Sequence, residues 1–306
     1  MTPAAVRTEG LVKQYRTKKG VQTALNGISF TTSRGEIFGL IGPDGSGKTS
    51  LFRILTTLLL PDAGKATVNG WDTVRDYRQI RQCVGYMPGR FSLYQDLSVE
   101  ENLAFFASIF EVDVQKNYEL IRDIYRQLEP FRKRRAGQLS GGMKQKLALS
   151  CALVHRPAVL FLDEPTTGVD AVSRKEFWEM LHRLREQGIA ILVSTSYMDE
   201  AGLCDRVAML QNGTILAIDT PDGIRKAFRR PLWAVKVKEM FRLLNALKTE
   251  PFVESCYPFG QHHHVVLRDG EDRSAIDTLI ARGGYTDADV RPIHPGFEDC
   301  FMQLMK

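Results

Sequence analysis

The fold is decided by the stretch Gly42-Pro43-Asp44-Gly45-Ser46-Gly47-Lys48-Thr49, with Ser50 directly after it. It fits the pattern G-x-x-x-x-G-K-[ST] at every position. Residues 36–41 form an apolar run that predicts a strand, and residues 48–59 have the apolar spacing of a helix. Glycines let backbone N–H groups turn toward phosphate oxygens, and the helix N-terminus adds a positive dipole end. The stretch therefore predicts a loop for a nucleoside triphosphate, with Lys48 at the outer phosphates and the Thr49 hydroxyl on Mg²⁺.

A second apolar run, residues 159–162, ends in two carboxylates, Asp163 and Glu164. A buried strand with this ending places Asp163 near the phosphate loop, where it can hold the Mg²⁺ shell. Glu164 then points the other way along the strand and polarises the water that attacks the phosphate. An apolar strand that ends in Asp-Glu is as often structural as functional when it stands alone. Together with the phosphate loop it predicts that Lys48, Asp163 and Glu164 form a catalytic site.

Length and composition limit the class of protein. The chain has 306 residues, enough for two domains, and its 43% hydrophobic and 25% charged residues exclude a disordered or collagen-like chain. A net charge of +5, spread along the chain, does not indicate a nucleic-acid binder. No apolar run approaches the roughly 18 residues of a membrane helix, and the first residues lack the apolar core of a signal peptide. The 5 cysteines contain no Cys-x-x-Cys pair, so a cytoplasmic protein is expected.

The pattern of elements changes near residue 230. Residues 1–230 predict an α/β domain with a parallel sheet, in which Asn212-Gly213 marks a hairpin. Its expected strands are 36–41, 84–87, 159–162 and 189–194, and its expected helices are 48–59, 99–110, 142–154, 171–187 and 197–204. Residues 231–306 predict a small α+β domain with the β-α-β-β-α-β order of a ferredoxin-like sandwich, closed by a helix over 297–305. In that domain His262, His263 and His264 fall in a strand, so they alternate faces and cannot all converge on one metal ion.

A third motif carries a family resemblance. The segment Leu139-Ser140-Gly141-Gly142-Met143 precedes Asp163 in a chain that already has a phosphate loop. It resembles the ATP-binding-cassette (ABC) family, whose signature is Leu-Ser-Gly-Gly-Gln; Met143 replaces the glutamine. The resemblance covers roughly residues 5–228 and implies a P-loop ABC cassette with a helical signature subdomain, which binds ATP and Mg²⁺. It also implies that Ser140, Gly141 and Gly142 contact the γ-phosphate held by the opposite subunit of a head-to-tail dimer.

Further positions match the family in order. Tyr15 lies where similar cassettes stack an aromatic ring on adenine, although a surface tyrosine remains the alternative. Gly168-Val169-Asp170 resembles the loop that communicates between the two sites. The single cassette and residues 295–301 look most like bacterial export-type cassettes that serve ABC-2 membrane permeases. The resemblance therefore implies an ATPase subunit on the inner face of the cell membrane, which couples cassette dimerisation to export through separate permease chains.

Two positions depart from the family pattern. Gly89 stands where a glutamine normally contacts Mg²⁺ and the attacking water, and Ser196 stands where a histidine normally contacts the γ-phosphate. Losing one positioned transition-state donor typically costs about 10²–10³ in rate. The chain is therefore expected to supply a weakened site to a heterodimer with a second, more conventional cassette, in preference to a homodimer. Two alternatives remain: both changes are tolerated, or the chain is a regulatory subunit that binds ATP without hydrolysing it.

A cassette that acts on ribosomes or DNA is a further rival. Ribosome-type relatives usually carry two cassettes in one chain, and DNA-repair relatives carry long coiled-coil insertions. Only about 50 residues separate Gly89 from Leu139, which leaves no room for such an insertion. A nucleic-acid partner is not expected.

Overall fold

The computed structural model describes residues 4–18 and 20–305. By its contacts the chain divides into two compact units, Met1–Pro221 and Asp222–Lys306. This division falls one short helix before residue 230, where the sequence pattern places the boundary. The first unit has two sheets and the second has one, and each unit has its own apolar core.

The first unit contains two sheets and a group of helices. In chain order its elements are β1 (Val6–Thr17), β2 (Gly20–Thr32), β3 (Ile37–Ile41), α1 (Lys48–Leu55), β4 (Ala63–Val68), β5 (Trp71–Asp72), α2 (Tyr77–Cys83), β6 (Val84–Met87), α3 (Val99–Ile109), α4 (Val114–Tyr125), α5 (Gly141–Leu153), β7 (Val159–Asp163), α6 (Ala171–Glu186), β8 (Ala190–Thr195), β9 (Arg206–Gln211) and β10 (Thr214–Asp219). Short 3₁₀ segments cover Glu129–Phe131, Ala136–Gln138 and Met198–Leu203.

The larger sheet has six strands in the order β10-β9-β3-β8-β7-β6, and its neighbours are parallel except for the β9–β10 hairpin. Every residue of β3, β7 and β8 is buried, as expected for strands covered on both faces. The predicted strands are confirmed to within one residue. Because β3, β7 and β8 run parallel, their carboxyl ends meet at one edge, and this edge carries the phosphate loop, Asp163 and Ser196.

The second sheet of this unit is antiparallel, in the order β2-β1-β4-β5, and the sequence analysis did not predict it. Register shifts interrupt β1 between Thr8 and Leu11 and again between Lys13 and Gln14, so the apolar alternation of a strand is broken. Helix α1 packs against strands of both sheets. Phe52 on α1 meets Phe161 on β7 edge to face, with ring centroids 5.5 Å apart.

Most predicted helices of this unit are also confirmed to within one residue, and two differ. Helix α1 ends at Leu55, four residues short of the expected end at 59, because Thr57 adopts a left-handed φ of 62° and the chain turns away. The segment expected as a helix over 197–204 is a 3₁₀ helix, in which the Glu200 N–H donates to the Tyr197 carbonyl. Helices α3 and α4 pack against α5 and form the helical signature subdomain, of which α4 was not predicted.

The division between the units falls after the first residue of α7 (Pro221–Ala227). The second unit continues with β11 (Leu232–Lys236), α8 (Met240–Thr249), β12 (Val253–Phe259), β13 (His262–Leu267), α9 (Arg273–Gly283), β14 (Asp289–Pro292) and α10 (Phe297–Leu304). Its sheet has the order β12-β13-β11-β14 with antiparallel neighbours. From β11 to β14 this is the β-α-β-β-α-β arrangement of a ferredoxin-like sandwich. The core lies between the sheet and α8 and α9, and it includes Val235, Leu243, Val265, Ile276 and Leu279.

Neighbouring histidines of β13 do face opposite sides of this sheet. The His263 Nε2 lies 2.7 Å from the Met240 carbonyl of α8, whereas the His264 Nδ1 lies 2.6 Å from the Asp299 Oδ1 of α10. Buried Asp299 also accepts hydrogen bonds from the Tyr257 hydroxyl, at 2.5 Å, and from the Gly296 N–H, at 2.7 Å. The Asp299 carboxylate therefore holds α10 against the sheet through Tyr257 and His264, and it caps the start of α10 through the Gly296 N–H.

We expect Asp299→Ala to destabilise the β12–β13 hairpin by about 3 kcal/mol at pH 7, because three donors lose their acceptor. Burial alone would raise the pKa of Asp299, but the hydrogen bonds from His264, Tyr257 and Gly296 hold it below its usual value. A lowered folded pKa means that the contribution is present above about pH 4 and is lost as the pH falls through the folded pKa.

Amide hydrogen exchange of β12 and β13 at pH 7 and pH 3, corrected for intrinsic rates, measures this effect. The difference between Asp299→Ala and the wild type should be smaller at pH 3. The control is Asp289→Ala, which removes an exposed carboxylate 3.6 Å from His262 and should change stability by less than about 0.5 kcal/mol. Equal losses in the two variants would contradict the prediction.

Candidate nucleotide-binding site

The phosphate loop joins β3 to α1 and is shaped by backbone that runs past it. Gly47 has a left-handed φ of 109°, and a Cβ there would lie 2.3 Å from the Ala24 carbonyl oxygen of β2. A Cβ at Gly42 would lie 2.1 Å from the Leu210 carbonyl oxygen of β9. Both positions therefore require glycine, and neighbours distant in sequence impose that requirement.

Lys48 lies inside the loop with 4% of its side chain exposed. Its Nζ donates to the Gly42 carbonyl at 2.7 Å and to the Pro43 carbonyl at 3.1 Å, and it lies 3.2 Å from the Glu164 Oε1. The Ser46 Oγ is buried and has no hydrogen-bond partner among the described residues. The loop thus presents a cation and an unpaired hydroxyl at the place where the motif predicts phosphate oxygens.

Tyr15, the phosphate loop and Glu164 surround one cavity of about 330 Å³. The Tyr15 hydroxyl lies 3.1 Å from the Ser50 Oγ, so the ring stands beside the start of α1. The lining residues are Tyr15, Gln22, Ala24, Asp44, Gly45, Gly47, Lys48, Thr49, Ser50 and Glu164. Gln22 and Ala24 come from β2 and were missed, since nothing in their local sequence indicates a ligand. The loop residues Gly42, Pro43 and Ser46 are not among these lining residues.

Asp163 ends β7 and Glu164 follows it, and the two carboxylates have different surroundings. Asp163 is 3% exposed, and its Oδ1 accepts a hydrogen bond of 2.5 Å from the Ser194 Oγ. Glu164 adopts a left-handed φ of 49°, which turns its side chain toward Lys48, and the Thr167 hydroxyl donates to its Oε2 at 3.0 Å. Ser194 on β8 also accepts from the Glu164 N–H through its hydroxyl and its carbonyl. Nothing in the sequence around Ser194 indicates this contact, because only the parallel pairing of β7 and β8 brings Ser194 to this position.

A tyrosine stands close to this carboxylate edge. Burial, and secondarily the negative charge of Asp163, raise the pKa of Tyr86 to about 12. The phenol of Tyr86 therefore stays protonated at neutral pH.

Both departures from the family pattern border the same edge. A Cβ at Gly89 would lie 3.1 Å from the Asp163 carbonyl oxygen and 3.8 Å from the Glu164 Cβ. Ser196 follows Thr195, whose carbonyl accepts the Gly42 N–H at 3.3 Å. A longer side chain at either position would lie beside the carboxylates or the phosphate loop.

The signature residues lie elsewhere in the unit. The Ser140 Oγ caps α5 by accepting the Met143 N–H at 3.4 Å, and Gly142 packs so closely on α6 that a Cβ there would lie 2.6 Å from the Ser173 Oγ. Among the described residues, Ser140, Gly141 and Gly142 are not part of the cavity lining. One chain thus brings Tyr15, the phosphate loop and Glu164 together around one cavity, with Asp163 buried next to Glu164 and outside the lining. It leaves Ser140 and Gly141 exposed at a separate surface.

These donor sets fit a magnesium–nucleotide complex. The unpaired Ser46 hydroxyl and the buried Lys48 ammonium suit phosphate oxygens. The Thr49 hydroxyl and the Asp163 carboxylate would supply oxygen ligands of the kind that Mg²⁺ takes beside nucleotide phosphates. When bound, the ion would neutralise phosphate charge, and Lys48 and Glu164 would lie at the phosphate end of the nucleotide.

Comparisons with known proteins agree with this geometry. A family model described as ABC transporter matches residues 25–167. The probable multidrug ABC transporter ATP-binding protein YbhF of Escherichia coli (strain K12) is 37% identical over all of this chain and 53% of its own length. The daunorubicin resistance ATP-binding protein DrrA2 of Streptomyces coeruleorubidus is 33% identical over 98% of this chain and 94% of its own length. A solved structure described as the ATP binding subunit of an ABC transporter is 28% identical, with a TM-score of 0.66 over 73% of this chain and 93% of that one.

The fold and the site thus define a P-loop nucleotide-binding protein of the cassette class. The chain belongs to the ABC transporter ATP-binding family, and its ligands are ATP and Mg²⁺. It spans about half the length of the YbhF relative. In the part of the chain that the structure describes, no helix is both long and apolar enough to cross a membrane.

Proposed function

We propose that this chain is the ATP-hydrolysing subunit of an export-type ABC transporter, which couples closure of a cassette dimer to substrate export. The observation that carries the proposal is the grouping of Lys48, Asp163 and Glu164 at one sheet edge, with Lys48 3.2 Å from Glu164. In this role Glu164 is the general base for water, Lys48 stabilises the outer phosphates, and Asp163 and Thr49 hold Mg²⁺.

The proposed dimer places each ATP between Lys48 of one chain and Ser140 of its partner. The exposure of Ser140 and Gly141 outside their own chain's cavity supports this arrangement. Hydrolysis and phosphate release then reopen the dimer. Separate ABC-2 permease subunits would convert this motion into transport, with the chain peripheral on the inner face of the cell membrane. The names of the relatives, which concern multidrug transport and daunorubicin resistance, support export.

A heterodimer with a second, different cassette is proposed in preference to a homodimer. The support is that Gly89 and Ser196 both border the carboxylate edge and supply neither an amide nor an imidazole there. In a homodimer both sites would carry these changes. The same observation favours the second candidate function, a hydrolysis-deficient nucleotide-binding half of such a pair, whereas the presence of Glu164 beside Lys48 opposes it.

The deciding experiment measures MgATP hydrolysis and ATP binding by the purified chain, with and without Glu164→Gln. We expect slow, Mg²⁺-dependent turnover that falls at least about tenfold in Glu164→Gln, with ATP affinity within about threefold, because the base is lost and the phosphate loop is kept.

The matched control is Glu179→Gln, which removes an exposed carboxylate on α6 and should leave turnover unchanged. ATP binding with turnover at background in the wild type would favour the hydrolysis-deficient alternative. No ATP binding would contradict both functions.

A further inference from the structure

Glu200 is a buried carboxylate that the site described above does not use. It is 1% exposed, and its Oε1 accepts a hydrogen bond of 2.6 Å from the Thr166 hydroxyl. Its Oε2 is buried and has no hydrogen-bond partner among the described residues. Burying a carboxylate costs several kcal/mol unless it is paired, so a group kept in this state requires a specific reason.

Arg174 forms a long ion pair with Glu200 but no hydrogen bond to it. The Arg174 Nε lies 3.7 Å from the Glu200 Oε1, too far for a hydrogen bond, and it is itself buried without a hydrogen-bond partner among the described residues. The guanidinium stacks over the Tyr197 ring at 4.2 Å. A shift of less than about 1 Å would close the pair into a hydrogen-bonded salt bridge. Glu200 and Arg174 thus form a contact that small movements make or break.

The partners of Glu200 belong to two different loops. Thr166 and Arg174 flank the Gly168-Val169-Asp170 loop that follows the carboxylates, and the Thr166 carbonyl accepts the Val169 N–H at 3.1 Å. This loop reaches the signature: a Cβ at Gly141 would lie 3.4 Å from the Gly168 carbonyl oxygen, and Ser173 packs on Gly142.

On the other side, Glu200 belongs to the segment that follows Ser196. The Glu200 N–H donates to the Tyr197 carbonyl at 3.3 Å, and the Tyr197 N–H donates to the Thr195 hydroxyl at 3.0 Å. The Thr195 carbonyl in turn accepts the Gly42 N–H of the phosphate loop. Hydrogen bonds and close packing thus connect the phosphate loop, through Glu200, to the signature.

We propose that Glu200 is a positioning residue that couples the Ser196 end of β8 to the signature residues Ser140, Gly141 and Gly142. Its hydrogen bond to Thr166 and its ion pair with Arg174 hold the Gly168 loop against the 3₁₀ segment Met198–Leu203. The inference deepens the proposed function, on which its consequence rests: the state of a chain's own ATP site sets the signature surface offered to the partner. Among the described residues Glu200 is not part of the cavity lining, so we expect its effect on coupling and not on ATP binding.

The test compares amide hydrogen exchange of the full chain without nucleotide in the wild type, Glu200→Gln and the matched control Asp199→Asn. Asp199 is 71% exposed, and its carboxylate faces the same guanidinium at 3.8 Å. Glu200→Gln should speed exchange at least about fivefold in three segments, 196–203, 165–170 and 139–143. Asp199→Asn should change none of them, and the second unit should be unchanged in both variants.

If Glu200→Gln speeds amide exchange only in residues 196–203, the proposal is overturned. It is also overturned if Asp199→Asn speeds exchange in the three segments as much as Glu200→Gln does. If Glu200→Gln does not fold, Thr166→Val provides the same test, because it removes the hydroxyl and keeps the shape of the side chain. The double variant Glu200→Gln, Arg174→Met should be no more accelerated than Glu200→Gln, since the two residues act as a pair.

Turnover supplies a second readout. In Glu200→Gln we expect kcat to fall about tenfold while KM for ATP stays within twofold, a split that general loosening of the fold would not produce. A rise in KM as large as the fall in kcat would contradict a positioning role for Glu200. If the wild type shows only background turnover, the proposed hydrolytic function is refuted. The hydrogen-exchange comparison then tests the coupling role of Glu200 without any need for turnover.

Discussion

The double substitution Gly89→Gln, Ser196→His is expected to raise the rate of MgATP hydrolysis by about 10²-fold. A Cβ at position 89 would lie 3.1 Å from the Asp163 carbonyl oxygen, so a side chain there needs a movement of only a few tenths of an ångström. Ser196 lies one residue beyond the contact between Thr195 and Gly42, so a histidine there would border the phosphate loop. Each single substitution should raise the rate at least about tenfold, and the two effects need not multiply because both act on one transition state. The measurement is steady-state phosphate release.

Two controls separate catalysis from changes in binding. ATP affinity should stay within about threefold, because neither position belongs to the cavity lining in the described chain. Adding Glu164→Gln to the double variant should remove the gain. If turnover does not rise in either single variant or in the double variant, the two departures are tolerated, and the argument for a weakened site in a heterodimer loses its basis.

Lys48→Ala is expected to weaken ATP binding by about 10²-fold. A buried ammonium that donates to a charged group contributes up to about 3 kcal/mol, and each 1.4 kcal/mol corresponds to tenfold in affinity. Lys48 is 4% exposed, and its Nζ lies within 3.2 Å of three oxygen atoms, so no other described side chain takes its position. The substitution also removes the ion pair between Lys48 and Glu164. Isothermal titration with MgATP measures the change.

The matched control is Lys175→Ala, which removes an exposed lysine of α6 in the same unit. It changes the net charge by the same amount and should leave ATP affinity within about twofold. Circular dichroism checks that Lys48→Ala keeps its fold. An equal loss of affinity in the two variants would mean that long-range charge, and not the position of Lys48 in the loop, governs binding.

Much of the site could be predicted because each of its motifs is continuous in sequence. The phosphate loop has its eight residues in one run, and β7 is an apolar strand that leads directly to Asp163 and Glu164. The element order of the second unit could also be predicted, since its strands are short and separated by clear helices. The roles assigned to these residues stay predictions until variants are measured.

Other parts were beyond sequence reasoning because their signals are not local. The antiparallel sheet contributes Tyr15 and Gln22 to the cavity, yet the register shifts of β1 break the alternation that would identify a strand. Ser194 and Glu200 are ordinary residues until β7 and β8 pair and the loops after them meet. The early end of α1 depends on a left-handed turn at Thr57 that helix periodicity does not contain.

The sequence by itself determined the class of protein, the loop that binds phosphate, the two carboxylates and the positions at which the family pattern is broken. Each of these is a property of neighbouring residues, whose chemistry and spacing suffice to recognise it. Only the tertiary structure decided that Lys48 meets Glu164, that Gly89 and Ser196 border the same edge, and that Glu200 joins two loops. Those contacts arise because parallel strands far apart in sequence bring their carboxyl ends together.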